Sequence, residues 1–176
     1  MQERCKIGVV IGNANSPHAI NIMKGIDQAS RECDVQLMYF MNVSSPYTAQ
    51  LYPPDTSIGW DYQKSAIYDY ARYVKADVLI MTYGMMSIFM KSDYGKQYLE
   101  YFRNVPCVLI NEQTDRPNWT SIIVDNYNGM YELVEHLVRD HWYHNFAFLA
   151  GPPGNTDACH RKREFLDVMK KYDLPL

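Results

Sequence analysis

The chain has 176 residues, 17 Lys and Arg against 20 Asp and Glu, a formal net charge of -3, and 47% hydrophobic residues. That apolar content supports a packed core and excludes a disordered chain. The mildly acidic balance, with basic residues scattered apart from Arg161, Lys162 and Arg163, argues against a standing nucleic-acid surface, which needs clustered Lys and Arg.

The opening MQERCKIGVVIG has an apolar run too short for a signal peptide or anchor and no cleavage-site pattern. No stretch approaches the ~18 apolar residues of a membrane span. Residues 6–12 read as a buried parallel strand ending in Gly. The loop Asn13-Ala14-Asn15-Ser16-Pro17-His18 leads into a helix at 19–32, with Ile20, Met23, Ile26, Ala29 and Cys33 at near-helical spacing. Gly25 on this helix is read as a close approach to the sheet, since it costs helix stability relative to Ala. A strand at 35–41 completes a β-α-β unit. Residues 42–61, rich in Ser, Pro, Thr and Tyr, form a long loop of the kind that carries function.

A helix is expected at 62–75, a strand at 77–84, partly helical structure over 85–103, a strand at 107–111, a turn, and a strand at 121–125. Helix 127–141 carries the clearest amphipathic pattern, with Met130, Leu133, Val134, Leu137, Val138 and His141 on one face. A strand at 145–151 and a helix at 157–171 close the chain. Alternating β and α elements predict an α/β fold with a parallel sheet flanked by helices.

The four cysteines, Cys5, Cys33, Cys107 and Cys159, lie far apart with no C-x-x-C pair. They read as reduced, mostly buried thiols of a cytoplasmic protein. Nucleophile motifs, phosphate loops and dinucleotide fingerprints are absent from the sequence. The reading is therefore not an enzyme, with no catalytic residue and no cofactor. His136 and His141 are five apart, which sends them to different faces of one helix, and no Cys/His ligand spacing appears. No metal site is expected.

Ligands of open α/β sheets sit beyond the carboxyl ends of the strands. Four such ends carry polar groups: Asn13, Asn15, Ser16 and His18; Thr82 and Tyr83; Asn111 and Glu112; and Asn155 and Asp157, with Arg161 one turn into the following helix. Mostly uncharged hydrogen-bonding groups with one guanidinium suit sugars, nucleosides or small acids. Asn, Ser and Asp at such positions also cap helices and form turns. The case for a ligand rests on four ends sharing one chemistry. Tyr47, Tyr52 and Tyr62, in or next to the long loop, add aromatic faces that stack on sugars and flat rings.

Four blocks, KIGVVIGNANSPHAINIMKGIDQA, NVPCVLIN, IIVDNYNGMYELVEHL and FAFLAGPPGNTDACHRKREF, resemble in order those of the lac/gal repressor-type, periplasmic-binding-protein-like sensor domains. The resemblance covers nearly the whole chain and is weakest over 42–75. It implies a first lobe at 1–124 and the start of a second, incomplete lobe at 125–176. It also implies a small polar effector held between lobes. By position, Asn13 and Ser16 would lie in the first-lobe loop, and Thr82 and Asn111 at strand ends facing the cleft. Asp157 and Arg161 would face them from the second lobe, Arg161 as the family's recurrent ligand-clamping arginine.

No helix-turn-helix precedes Lys6, so no direct nucleic-acid binding is expected of this chain. The strands that would complete the second lobe are missing, so a homodimer or swapped assembly is expected to cover its apolar face. Trp142 stands where Gly would commonly cap a helix. The form DNYNGMYELVEHLVRDHWYHNFAF is most similar to variants of this sensor ahead of diguanylate cyclase, histidine kinase or transcription-regulator outputs. The first expectation is a sensor of a signalling protein. The alternatives are a repressor's effector domain and a flavodoxin-like enzyme.

Overall fold

Strand β1, Lys6–Ile11, opens the fold. In the computed structural model, residues 4–43, 62–86, 92–151 and 156–175 are described. They divide into two compact units, Met1–Ile123 and Val124–Leu176.

In the first unit β1 is followed by helix α1 (Pro17–Cys33), strand β2 (Gln36–Met41), helix α2 (Tyr62–Asp69) with a 3₁₀ turn at Tyr70–Arg72, and strand β3 (Val78–Met81). Then come the single-turn helix α3 (Tyr83–Met86), helix α4 (Ser92–Tyr101) and strands β4 (Cys107–Ile110) and β5 (Trp119–Ile122). The strands form a sheet in the order β2-β1-β3-β4-β5, and every neighbouring pair is parallel. The expected parallel sheet flanked by helices is thus observed.

The period-two alternation of β1 sends its side chains into two separate cores. Val9 and Ile11, with Ile7, Leu37, Tyr39 and Ile80, pack against Ala19, Ile22, Met23 and Ile26 of α1. Val10, with Phe40, Leu79, Met81, Leu109 and Trp119, packs against Tyr68, Ala71, Tyr98 and Phe102 on the opposite face. Both faces of β1 are therefore dry, which is why KIGVVI reads as a continuous apolar run.

Ser16 caps α1 by accepting a hydrogen bond from the Ala19 N–H, and Pro17 occupies its first turn. Asp34 ends it in the left-handed region at φ 48°. A Cβ added at Gly25 would meet nothing within 4 Å, so the reading of that glycine as a close approach is wrong. The close approach is at Gly12, where a Cβ would fall 2.6 Å from the Met85 carbonyl.

Strand β3 is shorter than read. The Thr82 carbonyl accepts from the Met85 and Met86 N–H groups and turns the chain into α3. Strand β5 starts earlier than read and stops at Ile122, because its partner β4 stops at Ile110. The long loop at 42–61 lies outside the described residues beyond Val43, and so do Tyr47 and Tyr52. Of the cysteines only Cys107 is buried; Cys5, Cys33 and Cys159 are exposed, against expectation. Burial pushes the Cys107 thiol up to about 12, so it stays protonated and inert.

The second unit is built on helix α5 (Asn126–Arg139) and helix α6 (Thr156–Lys171). Val134, Phe165, Val168 and Met169 form its core. Residues 145–151 are not a strand. Phe146 and Phe148 do alternate inward, and the Phe148 ring stacks on Phe165 at 4.7 Å. Leu149, next after Phe148, is 98% exposed. The alternation was legible, but a strand also needs a hydrogen-bonded neighbour, and none is present among the described residues.

Candidate functional site

In the first unit the chain leaves β1 toward β2 on one side, while β3 lies on the other. Such a reversal opens a crevice at the strands' carboxyl ends, where doubly wound folds hold ligands. Asn13, Ser16, Thr82 and Asn111 all fall at this end of the sheet, but their side chains do different things.

Thr82 is 1% exposed. Its hydroxyl accepts from the Gly12 N–H at 3.1 Å and donates to the Val10 carbonyl at 3.5 Å. It braces the loop after β1 from beneath. Ser16 uses its oxygen to cap α1. Asn13 sits at φ 52°, a left-handed conformation that Asn tolerates better than most residues. Its N–H donates to the side-chain oxygen of Asn42 at 2.7 Å, and the Ala14 N–H donates to the Asn42 carbonyl at 2.9 Å. Asn42, buried at the end of β2, thus holds the whole turn, a role the sequence reading missed.

Asn111 is also left-handed, at φ 59°. Its N–H donates to the Ile122 carbonyl at 2.8 Å. The side-chain nitrogen lies 2.9 Å from Nε2 of His18, on the first turn of α1. This exposed pair crosses the edge from β4 to the start of α1. Nearby, burial and then the Glu112 charge raise the Tyr83 phenol above its ordinary value.

In the second unit Asp125 caps α5. It accepts from the Asn128 N–H at 3.0 Å and the Asn128 side-chain nitrogen at 2.6 Å. Those two bonds hold its carboxyl below the usual range. The next residue, Asn126, is buried. Its side-chain nitrogen donates to Asp157 at 2.8 Å, and its side-chain oxygen accepts from Arg161 at 3.0 Å. Asp157 is in the first turn of α6 and Arg161 one turn further. The two helices therefore meet at their N-terminal ends through a relay of carboxylate, amide and guanidinium. Helix N-termini favour anionic or electron-rich partners. Asp157, Arg161 and Asn126 all stand at element ends that the sequence marks as places for polar ligands; that Asn126 links the other two is visible only in the structure.

His136 and His141 are brought together, contrary to the reading that five-residue spacing separates them. Helix α5 ends at Arg139, and Trp142 reverses the chain at φ 60°. The Tyr143 N–H then reaches back to the Leu137 carbonyl at 3.2 Å. The Nε2 atoms of the two histidines end 3.1 Å apart. No group of three or more His, Cys, Asp or Glu side chains is placed to hold a metal among the described residues. No described helix is long and apolar enough to cross a membrane.

No family model matches the chain. It is 24% identical over 118 residues to the probable HTH-type transcriptional repressor ExuR of Bacillus subtilis (strain 168), covering 61% of this chain and 35% of that protein. Among solved structures it matches the lac repressor dimer bound to operator and the anti-inducer ONPF, at a TM-score of 0.70 and 17% identity, over 99% of this chain and 54% of that one. It also matches a putative ribose operon repressor from Burkholderia thailandensis, at a TM-score of 0.68 and 16% identity, over 97% of this chain and 56% of that one. A periplasmic binding protein/LacI transcriptional regulator from Alkaliphilus metalliredigens QYMF, complexed with D-xylulofuranose, matches at 0.66 and 17% identity, over 97% and 54%. The chain thus spans about a third of the curated relative and about half of these structures. The fold is that of the lac-repressor-type, periplasmic-binding-protein-like sensor domains, as the sequence resemblance implied.

Proposed function

We propose that the chain is the effector-sensing part of a lac/gal-type transcriptional regulator, with its first lobe at 1–124 and the start of its second at 125–176. The observation that carries this reading is the Asn126-mediated coupling of Arg161 to Asp157 at the N-terminal ends of two helices. Such a relay presents a fixed guanidinium to a hydroxyl-rich or anionic small molecule. Asn13, Ser16 and Asn111 at the sheet's carboxyl edge supply amides and a hydroxyl suited to a polyol, a sugar or a nucleoside. Thr82 supports that loop from below. The names of the curated relative and of the solved neighbours favour a transcriptional output over a cyclase or kinase output. An enzyme reading finds no nucleophile motif in the sequence to rest on.

In this reading effector binding shifts a conformational equilibrium of the sensor, and a separate segment of the regulator contacts DNA. The working unit is a cytoplasmic homodimer. The test is thermal-shift screening of the full-length protein against sugars, sugar acids, nucleosides and amino acids, followed by operator-release assays with any hit. A ligand that stabilises the protein and is lost on Arg161→Ala supports the reading. A screen in which no member of any class shifts the melting temperature defeats it.

A further inference from the structure

We propose that His136 and His141, oriented by Asp140, form a binding site for a divalent transition-metal ion of the zinc type at the C-terminal end of α5. Three observations converge on it, and none involves the effector residues.

The first is the spacing of the ligating atoms. The two Nε2 atoms are 3.1 Å apart. An ion at the usual Zn–N distance of about 2.05 Å from both would subtend an N–metal–N angle of about 100°, between octahedral and tetrahedral values. The second is the ring geometry. The ring centroids stand 4.7 Å apart with planes at 84°. A collinear N–H···N bond would hold the centroids more than about 5 Å apart. The contact is therefore bent, as two rings are when both face one point.

The third is the partner of the far nitrogen. Nδ1 of His136 lies 2.6 Å from the Asp140 carboxylate. With the Nδ1 proton donated to that carboxylate, the neutral imidazole of His136 carries its lone pair on Nε2. Carboxylate–histidine pairs of this kind orient metal-bound imidazoles and raise their basicity. The His141 ring is held in turn by stacking on Tyr143, with centroids 5.6 Å apart and planes at 17°. Without an ion the 3.1 Å contact is bridged by a proton on Nε2 of His141; a bound ion takes that proton's place, His141 becomes the Nδ1–H tautomer, and both rings then turn a lone pair to the shared point. The remaining coordination positions go to water, so the site is open and exchangeable.

The test uses the tag-free chain, titrated with Zn²⁺ and separately with Ni²⁺ in a non-chelating buffer near pH 7.5, by calorimetry and by histidine-ring NMR. One equivalent of ion should bind in the micromolar range and shift the ring resonances of His136 and His141 together. His136→Ala and His141→Ala should each weaken binding at least tenfold, with folding verified by circular dichroism. Asp140→Asn should weaken it roughly 10- to 100-fold and move the pH at which the ion is released. His160→Ala, on α6, serves as the control and should bind like the parent. Binding unchanged in the His136→Ala, His141→Ala double variant overturns the proposal. So does failure of the parent chain to bind either ion below millimolar concentration.

Discussion

The guanidinium of Arg161 donates to the side-chain oxygen of Asn126 at 3.0 Å, and this bond joins an exposed cation to a buried amide. Its consequence is a division of labour that substitution can separate. Arg161 is exposed and Asn126 is 7% exposed. Asn126→Ala should therefore cost about 1–2 kcal/mol, since it strips Asp157 and Arg161 of a shared partner. Arg161→Ala should cost less than about 1 kcal/mol while removing the effector response. Chemical denaturation and ligand titration of the two variants, side by side, separate the roles. Equal stability losses would show that Arg161 is a structural brace.

Thr82 makes a different prediction from the other strand-end residues. Thr82→Val preserves shape but leaves the buried Gly12 N–H without its 3.1 Å acceptor. The expected loss is about 1–3 kcal/mol, with effector affinity weakened only as far as the loop after β1 loosens. Urea unfolding monitored at Trp119, which lies in the same unit, reads the stability term directly.

Gly12→Ala should be more damaging than Gly25→Ala, although the sequence reading pointed to Gly25. The new Cβ at position 12 would stand 2.6 Å from backbone atoms of Met85, whereas one at position 25 meets nothing within 4 Å. Overpacking against backbone costs about 1–3 kcal/mol. On an exposed part of a helix, Ala for Gly gains up to about 1 kcal/mol. Melting temperatures should move in opposite directions, and a fall for both would contradict the contact.

Glu135 gives the second unit a pH dependence. Hydrogen bonds from Lys171, at 2.7 Å, and Tyr172, at 2.7 Å, lower its carboxyl from 4.5 to about 2. A depressed folded-state value means that the stabilisation is fully present above about pH 4.5 and is lost as the pH falls toward 2. Glu135→Gln should flatten that part of the acid-stability profile, read by circular dichroism from pH 5 to 2. An unchanged slope would mean that the cluster contributes nothing in solution.

Much of the architecture was determined by the sequence alone. The apolar run KIGVVI and the stripe on α5 each reflect local rules, in which periodicity acts within a few residues; the Ser16-Pro17 start of α1 obeys such rules too, although the reading began that helix two residues later. The strand ends holding Asn13, Thr82 and Asn111 followed from the same rules. What each side chain does there was decided by contacts distant in sequence: Thr82 turned inward because Gly12, seventy residues away, needed an acceptor. The apparent strand at 145–151 carried the right alternation but lacked a neighbour among the described residues, and a ladder is not encoded in one segment. The histidine pair became a pair only because α5 stops at Arg139 and Trp142 turns the chain left-handed. Hydrogen bonding and packing between segments far apart in the chain choose partners, and local pattern supplies only the groups from which they choose.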